Sequence, residues 1–295
     1  MSNTAPDPGS ALLLQAGDMR MALRPDLGGC IAGLWLGDLP VLRSSDPGSL
    51  DAVRLSGSYP LVPFSNRVAR ASLDWQGTSH PLVRNFAGEE HSIHGVGWLR
   101  CWTVLESSEG FAMLSLEHRP DNTWPFAFDA SQVFRLSGES LELSISMTNQ
   151  SAQPAPAGLG WHPYFVKRAR SRISFTATGR WEEGPDKLPT VRKPISGLDT
   201  DCAFLDVDNC YDGWSGAVRL RDEALRVSVT SGLSRLVVFT NDTKDFVAIE
   251  PVSHVNNGIN MMTLPGMSAE MLGVRILQPG ESMSADMRID VERVK

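Results

Sequence analysis

The segment Leu141-Glu-Leu-Ser-Ile-Ser-Met147 alternates apolar and polar residues without interruption. Successive side chains of a β-strand point to opposite faces, so this pattern places the four apolar side chains on one face of a strand. Leu225-Arg-Val-Ser-Val229 repeats the alternation. Leu236-Val-Val-Phe-Thr240 and Phe246-Val-Ala-Ile-Glu250 are continuous apolar runs of strand length, rich in β-branched residues, which is typical of strands buried on both faces.

Turn-forming residues interrupt the chain at short intervals between these strand patterns. The turn signals are Asp46-Pro-Gly48, Ser137-Gly-Glu139, Gly184-Pro-Asp186, Asn241-Asp242 and Gln278-Pro-Gly280. With 26 glycines and 19 prolines, long helices have little room, and the best candidates are short, at residues 253–257 or 266–271. The sequence therefore predicts an all-β fold, a large antiparallel β-sandwich with few short helices. We expect residues 11–295 to form a single domain after a disordered N-terminal tail at residues 1–10.

Composition narrows the classes of partner and the compartment. The 295-residue chain carries a net charge of −7, which disfavours nucleic acid or an anionic membrane as its partner. No stretch of about 18 apolar residues predicts a transmembrane helix, and residues 1–10 lack the features of a signal peptide. The four cysteines have no close pairing, which indicates reduced thiols in a cytoplasmic protein and does not fit a zinc site.

Two titratable residues stand in settings that restrict their side chains. His162 lies in Gly160-Trp-His-Pro-Tyr-Phe165, where Pro163 favours an extended backbone at the histidine. Glu250 ends an apolar run and precedes Pro251, and a carboxylate buried there would need a partner. Each has an ordinary alternative, His162 as a core histidine and Glu250 as a solvated strand end. A fixed imidazole and a fixed carboxylate can together move protons on a neutral substrate.

Three further segments supply candidate binding residues. His94 precedes glycines that let the backbone approach a ligand closely, or else it is a turn histidine. Arg67, which follows Asn66, either donates hydrogen bonds to sugar hydroxyls or is an ordinary strand-end charge. Asp212 lies in a turn rich in glycine and aromatic residues, where turn formation is its default role. His91 follows two glutamates and is predicted to be solvated.

Taken together in chain order, these residues resemble the aldose 1-epimerase (mutarotase) family over roughly residues 20–290. The segments that carry the resemblance are Ser65-Asn66-Arg67, His94-Gly95, His162-Pro163-Tyr164-Phe165, Asn209-Cys-Tyr-Asp-Gly-Trp214 and Glu250-Pro251. The segment that begins at His162 is the most specific, and the order of the segments is more specific than any one of them. The family has the galactose mutarotase-like β-sandwich, which agrees with the fold predicted from the strand patterns.

The resemblance implies an isomerase that interconverts the α and β anomers of a free aldose. Glu250 would be the general base that takes the proton of the anomeric hydroxyl. His162 would be the general acid that protonates the ring oxygen. Opening and reclosing the ring needs no redox change and no phosphate transfer, so we expect neither a cofactor nor a metal.

The resemblance also implies how the sugar is bound. His94 and Arg67 would donate hydrogen bonds to sugar oxygens, and Asp212 would accept one from a hydroxyl. Asn66 would orient Arg67 or bind the sugar directly. The expected partner is a small monosaccharide, bound by a monomer or homodimer.

Two departures from the family pattern leave the identity of the sugar open. Gly95-Val96-Gly97 replaces the usual glycine pair, and Trp161 precedes the histidine where many members have a small hydroxyl residue. A hexose-6-phosphate 1-epimerase is an alternative, and it would need basic residues at the rim of the site. The arginines near the relevant segments are Arg67, Arg70, Arg84 and Arg100. A non-catalytic sugar-binding protein on the same fold and a lyase-like sandwich are further alternatives.

Overall fold

A computed structural model describes residues 11–294 of the chain. The tail predicted for residues 1–10 lies outside these described residues. Strands dominate the described part of the chain, which contains two α-helices of four residues each.

In chain order, the strands are β1 (Leu12–Ala16), β2 (Met19–Arg24), β3 (Cys30–Leu36), β4 (Leu39–Pro40), β5 (Pro60–Leu61), β6 (Arg67–Val68), β7 (Ser72–Trp75), β8 (Thr78–Pro81), β9 (Ser92–Ile93), β10 (Thr103–Ser108), β11 (Phe111–His118), β12 (Phe128–Leu136), β13 (Ser140–Asn149), β14 (Ala155–Ala157), β15 (Gly160–Trp161), β16 (Tyr164–Val166), β17 (Arg172–Phe175), β18 (Gly179–Glu183), β19 (Pro189–Pro194), β20 (Leu198–Asp201), β21 (Val207–Asp212), β22 (Ala217–Arg221), β23 (Leu225–Ser231), β24 (Arg235–Thr240), β25 (Phe246–Val252), β26 (Arg275–Leu277) and β27 (Ser282–Arg293). The helices are α1 (Gly258–Met261) and α2 (Ala269–Leu272), and short 3₁₀ turns lie at Val53–Leu55, Ala69–Ala71 and Gly97–Leu99.

Two large antiparallel sheets form the sandwich within residues 11–294. One has nine strands in the order β10-β11-β12-β13-β27-β23-β22-β17-β20. The other has eight, in the order β19-β18-β21-β24-β25-β15-β5, with β16 also paired to β25. Smaller sheets join β1 to β4 in sequence, β6 to β9, β7 to β8 and β14 to β26. The all-β fold class and the antiparallel sandwich predicted from the sequence are confirmed.

The strand patterns seen in the sequence correspond to two kinds of burial. Residues 141–147 lie in β13, and their four apolar side chains are each no more than 1% exposed, whereas the intervening polar residues are less buried. β25 is buried along its whole length, as its uninterrupted apolar run predicts. The alternating strand therefore faces the core on one side, and β25 lies inside the molecule.

The predicted helix at residues 253–257 is not found. Ser253 and His254 instead make long-range bonds: the Leu159 N–H donates to Ser253 Oγ at 3.0 Å, and the Ser65 N–H donates to His254 Nε2 at 3.1 Å. These bonds hold an irregular segment, and helix α1 begins directly after it. The prediction at residues 266–271 overlaps α2, which Ser268 caps by accepting from the Met271 N–H at 3.1 Å.

The structure also bears on the predictions of reduced thiols and of no transmembrane helix. Cys30, Cys101, Cys202 and Cys210 all lie within residues 11–294 and are free thiols. Over the same range, neither α-helix is long and apolar enough to cross a membrane. The cytoplasmic location and the oligomeric state stay predictions.

Candidate active site

Glu250 lies on β25, inside the eight-stranded sheet. β24 pairs with β25 on one side, where Val237 faces Glu250, and β15 and β16 pair with it on the other. The side chain of Glu250 is 3% exposed. A carboxylate at this depth loses its hydration and needs a polar partner to offset that loss.

His162 is the partner that the fold supplies. It lies between β15 and β16, which both pair with β25, so strand pairing places it opposite Glu250. Its backbone N–H donates to the Tyr59 carbonyl at 3.0 Å. His162 Nε2 lies 3.2 Å from Glu250 Oε1, and both side chains are buried. The structure thus brings together the two residues predicted to be catalytic.

Burial sets the protonation of this pair. It lowers the pKa of His162 to about 3 and raises the pKa of Glu250 well above its ordinary value. The negative charge of Asp208 raises the pKa of Glu250 further, and the positive charge of Arg67 opposes that shift. Both shifts have the same physical cause, because a buried site disfavours the charged form of each group.

Each side chain of the pair has one polar atom without a hydrogen bond to the described residues. Within residues 11–294, His162 Nδ1 and Glu250 Oε2 are buried and have no hydrogen-bond partner. The Glu250 carboxyl lies within hydrogen-bond reach of one ring nitrogen, Nε2, and the other nitrogen, Nδ1, is left without a partner among these residues. A buried polar atom without a partner is costly, so both atoms are expected to find a partner in a ligand.

His94 stands beside the pair but has a fixed proton. Its ring centroid lies 5.1 Å from that of His162, at an interplanar angle of 84°. His94 Nδ1 accepts from the Asn66 N–H at 3.2 Å. Burial, and then the charges of His162 and Arg67, lower the pKa of His94 well below its ordinary value. The neutral ring therefore carries its proton on Nε2, where it can donate to a ligand.

Asn66 and Arg67 join this group through a tight loop. Asn66 and His94 both have positive φ angles, of 54° and 61°, and the His94 N–H donates to the Asn66 carbonyl at 2.8 Å. Arg67 Nη1 donates to Asn66 Oδ1 at 3.2 Å, as expected if Asn66 orients it. Arg67 Nη2 also pairs with Glu89 Oε2 at 3.1 Å.

Tyr59, which the sequence did not single out, supports both imidazoles. Its ring lies 4.8 Å from that of His162 and 5.8 Å from that of His94. Behind it, Trp98 stacks on the tyrosine at 5.5 Å. Tyr59 and Tyr164 share a hydroxyl contact at 3.2 Å. This aromatic cluster restricts the rotation of the two histidines.

Asp212 is not brought into this group. Trp181 Nε1 donates to its Oδ2 at 2.9 Å, and Arg192 Nη2 pairs with its Oδ1 at 2.7 Å. Asp208 lies on the same strand, β21, and on the same face by the two-residue period, and it is the carboxylate that shifts the pKa of Glu250. A sugar contact by Asp212 therefore stays a prediction, and Asp208 is the acidic residue of β21 whose charge raises the pKa of Glu250.

His91 differs from the sequence expectation, because it is buried and only 3% exposed. Its Nδ1 accepts from the Arg70 N–H at 2.9 Å, so its Nε2 carries the proton and donates to the Asp186 carbonyl at 2.8 Å. The neighbouring glutamates predicted solvation, but the hairpin between β18 and β19 covers this histidine. No local signal in the sequence around His91 indicates that contact.

Comparison with known proteins settles the family. The sequence model of the aldose 1-epimerase family matches residues 10–290. This chain belongs to the aldose 1-epimerase family. It is 31% identical over 287 residues to YphB of Escherichia coli K12, an uncharacterized protein, with 90% of this epimerase-family chain and 94% of YphB covered.

Solved structures share the fold of this family member. A crystal structure from Escherichia coli K12, of a protein provisionally named an aldose 1-epimerase, matches with a TM-score of 0.86 and 29% identity, covering 97% of this chain and 99% of that one. A galactose mutarotase-like protein from Clostridium acetobutylicum matches with a TM-score of 0.83 and 18% identity, covering 96% and 95%. At that identity, the second match speaks for the fold alone.

One pair of variants can distinguish the electrostatic effect of Asp208 on the pair from the structural role of Asp212. In Asp208→Asn, loss of a nearby negative charge should lower the apparent pKa of the His162–Glu250 pair, because the carboxylate form of Glu250 is then less disfavoured. In Asp212→Asn, that pKa should not move, but the free energy of unfolding should fall by about 1–2 kcal/mol, since Arg192 and Trp181 lose a charged acceptor.

The measurements are carbon-13 NMR titration of labelled glutamate and denaturant unfolding. A shift in the pair's pKa in Asp212→Asn, with none in Asp208→Asn, would reverse this placement of the two residues.

Proposed function

We propose that this chain is an aldose 1-epimerase that interconverts the α and β anomers of a free, neutral aldose. The observation that carries the proposal is the buried contact at 3.2 Å between His162 Nε2 and Glu250 Oε1. Each side chain also has one atom available for proton exchange with a ligand, because His162 Nδ1 and Glu250 Oε2 have no partner among the described residues. Membership of the aldose 1-epimerase family supports the same chemistry.

The closeness of the two groups suits the geometry of a hemiacetal. The anomeric hydroxyl and the ring oxygen are bonded to the same carbon atom, so an acid and a base that serve them must also lie close together. Glu250 takes the proton of the anomeric hydroxyl as the ring C–O bond breaks, and His162 gives a proton to the ring oxygen. Rotation about C1–C2 exposes the other face of the aldehyde, and the ring closes with both proton transfers reversed.

The buried setting favours one of the two proton arrangements that the pair adopts during ring opening. Opening converts a carboxylate and an imidazolium into a carboxylic acid and a neutral imidazole. Burial raises the pKa of Glu250 and lowers that of His162, so it stabilises this neutral pair. The carboxylate–imidazolium form that begins ring opening is therefore the less populated form of the buried pair, and opening ends in the neutral form that burial favours.

The three histidines near the site differ in which ring nitrogens already have a hydrogen-bond partner. His94 has its Nδ1 occupied by the Asn66 N–H, so it can donate from Nε2 but cannot relay a proton through the ring. His91 has both nitrogens occupied by backbone groups. His162 is the histidine free to exchange a proton, which supports its role as the acid and leaves His94 as a sugar ligand.

The charges around the pair support a neutral sugar over a sugar phosphate. Glu250 and Asp208 are both acidic, and the nearby Arg67 is already paired with Glu89. Arg100, one of the arginines that a phosphate would need, pairs with Asp121. A phosphate would require free basic groups in this region, which leaves the exposed Arg70 and Arg84 among the four arginines.

Glucose and glucose 6-phosphate provide a direct comparison. We expect kcat/KM for the free sugar to exceed that for the phosphorylated sugar, because the acidic groups repel a dianion. Exchange between anomers is followed by NMR saturation transfer at matched concentrations. A preference for the phosphate would instead support the hexose-6-phosphate epimerase.

Removal of either member of the pair should abolish most catalysis. Glu250→Gln and His162→Asn are expected to stay folded and to lower the catalysed exchange rate by about 10²–10⁴, the contribution typical of a general acid or base. Polarimetry and NMR exchange measure the rate, and circular dichroism checks folding. His118→Asn is a matched control, because His118 is buried in β11 and contacts the Trp124 carbonyl. Near-normal exchange in both pair variants would contradict the mechanism.

The pH profile should show an acid limb displaced from that of an ordinary histidine. Catalysis needs one exchangeable proton on the pair, and a second proton must charge His162, whose pKa is about 3. The rate should therefore stay level as the pH falls through 6.5, the ordinary pKa of histidine. It should fall at alkaline pH as Glu250 loses the last proton.

The profile is measured between about pH 4 and about pH 9, after subtraction of the uncatalysed rate. An acid limb centred near pH 6.5 would show that burial does not lower the pKa of His162 as expected.

A further inference from the structure

Glu183 is a second buried carboxylate near the site, at the end of β18 where the hairpin to β19 begins. Its side chain is 9% exposed. Its Oε1 accepts from Asn256 Nδ2 at 3.3 Å, while its Oε2 has no hydrogen-bond partner among the described residues. Lys187 Nζ lies 4.0 Å from that oxygen, but it is 52% exposed and lies closer, at 3.7 Å, to Asp208.

Glu183 is linked to the residues around the catalytic pair through Asn256, because the next residue, Asn257, donates its N–H to the Arg67 carbonyl at 2.9 Å. Burial raises the pKa of Glu183 to about 7, and the next contributions are the charges of Asp208, which raises it, and Arg67, which lowers it. The same two residues, in the same directions, shift the pKa of Glu250. The geometry agrees for Asp208, because Lys187 Nζ lies 4.0 Å from Glu183 Oε2 and 3.7 Å from Asp208 Oδ2.

Asn256 adds a second unsatisfied atom beside Glu183. It is 1% exposed, and within residues 11–294 its Oδ1 has no partner. Asn256 follows the end of β25, the strand that carries Glu250, by four residues. Glu183 Oε2 and Asn256 Oδ1 are therefore two free acceptors on contacting side chains, next to the main chain of Arg67.

The position of Glu183 is fixed by contacts of its hairpin. His91 Nε2 donates to the Asp186 carbonyl at 2.8 Å, and Lys187 pairs with Asp208. His91 also lies 4.0 Å from Glu89, which pairs with Arg67. The hairpin is thus held by the same residues that position Arg67, so Glu183 is not a freely moving surface side chain.

We propose that Glu183, oriented by Asn256, accepts a hydrogen bond from a ring-carbon hydroxyl of the sugar remote from C1 and so selects which aldoses are bound. This inference rests on the proposed function, in which the pair occupies the anomeric hydroxyl and the ring oxygen. Two free acceptors suit a substrate that carries several hydroxyl donors. A sugar that lacks the contacted hydroxyl leaves the Glu183 carboxyl unpaired, and buried unpaired acceptors reject such analogues.

The test combines a Glu183→Gln variant with sugars that lack single hydroxyls. The amide keeps an oxygen for Asn256 but turns a donor towards the sugar, in place of the acceptor. The probes are glucose, galactose, the 2-, 3- and 6-deoxy derivatives of each, and the single 4-deoxy sugar that corresponds to both. We expect KM for a parent sugar to rise roughly 10- to 100-fold, as for loss of a hydrogen bond to a charged group, while kcat changes little.

For each parent sugar, the deoxy derivative that lacks the hydroxyl contacted by Glu183 should behave differently from the others. Wild type should already bind it weakly, and Glu183→Gln should cause no further loss, because the hydroxyl that Glu183 contacts is missing. The matched control is Glu182→Gln, since Glu182 is the preceding residue and pairs with Arg180 at 2.6 Å. The control should keep wild-type KM for every sugar.

Two results would overturn the inference. One is an unchanged KM in Glu183→Gln for all sugars, and the other is an equal loss for every parent and deoxy sugar, which would mean a general distortion. Calorimetric binding of the same sugars runs alongside the exchange assay. If wild type binds sugars through Glu183 but exchanges none, the proposed function fails and the inference stands; if it neither binds nor exchanges them, both fail.

Discussion

Glu250 occupies a strand that is buried along its whole length, and the rest of the site is organised around the cost of that carboxylate. Strand pairing sets a histidine opposite it, and burial then disfavours charge on either group. The two residues together form a proton-exchanging unit that neither would form alone. Two charged residues outside the pair shift the pKa of Glu250 in opposite directions: Asp208 raises it and Arg67 lowers it.

The surrounding backbone decides which histidine can exchange protons. A main-chain N–H occupies one nitrogen of His94, and main-chain groups occupy both nitrogens of His91. His162 has no such bond within the described chain, and the Tyr59 ring packs against it without supplying one. In the proposed function, hydrogen bonds to the main chain, rather than residue type, therefore distinguish His94 as a sugar ligand from His162 as the acid.

Local patterns predicted the strands well, because the alternation at residues 141–147 and the apolar run before Glu250 directly record which faces are buried. The contact between His162 and Glu250 depends on long-range strand pairing, so the sequence by itself made each residue plausible and only the family resemblance joined them. Asp208 was missed because it and Asp212 share a face of β21, and the sequence does not tell which end lies beside Glu250. His91 and Glu183 depend on a hairpin contact between distant segments, for which no local signal exists.

The hairpin of β18 and β19 is at the edge of the eight-stranded sheet, whereas β25 has paired strands on both sides. β19 is largely exposed and pairs with β18. A lineage can therefore insert, shorten or replace residues in this hairpin while the interior strand that carries Glu250 keeps its neighbours. If the pair and Glu183 act as proposed, chemistry and substrate choice lie on parts of the sheet that tolerate change to different degrees, and new sugar preferences can evolve while the catalytic pair is kept.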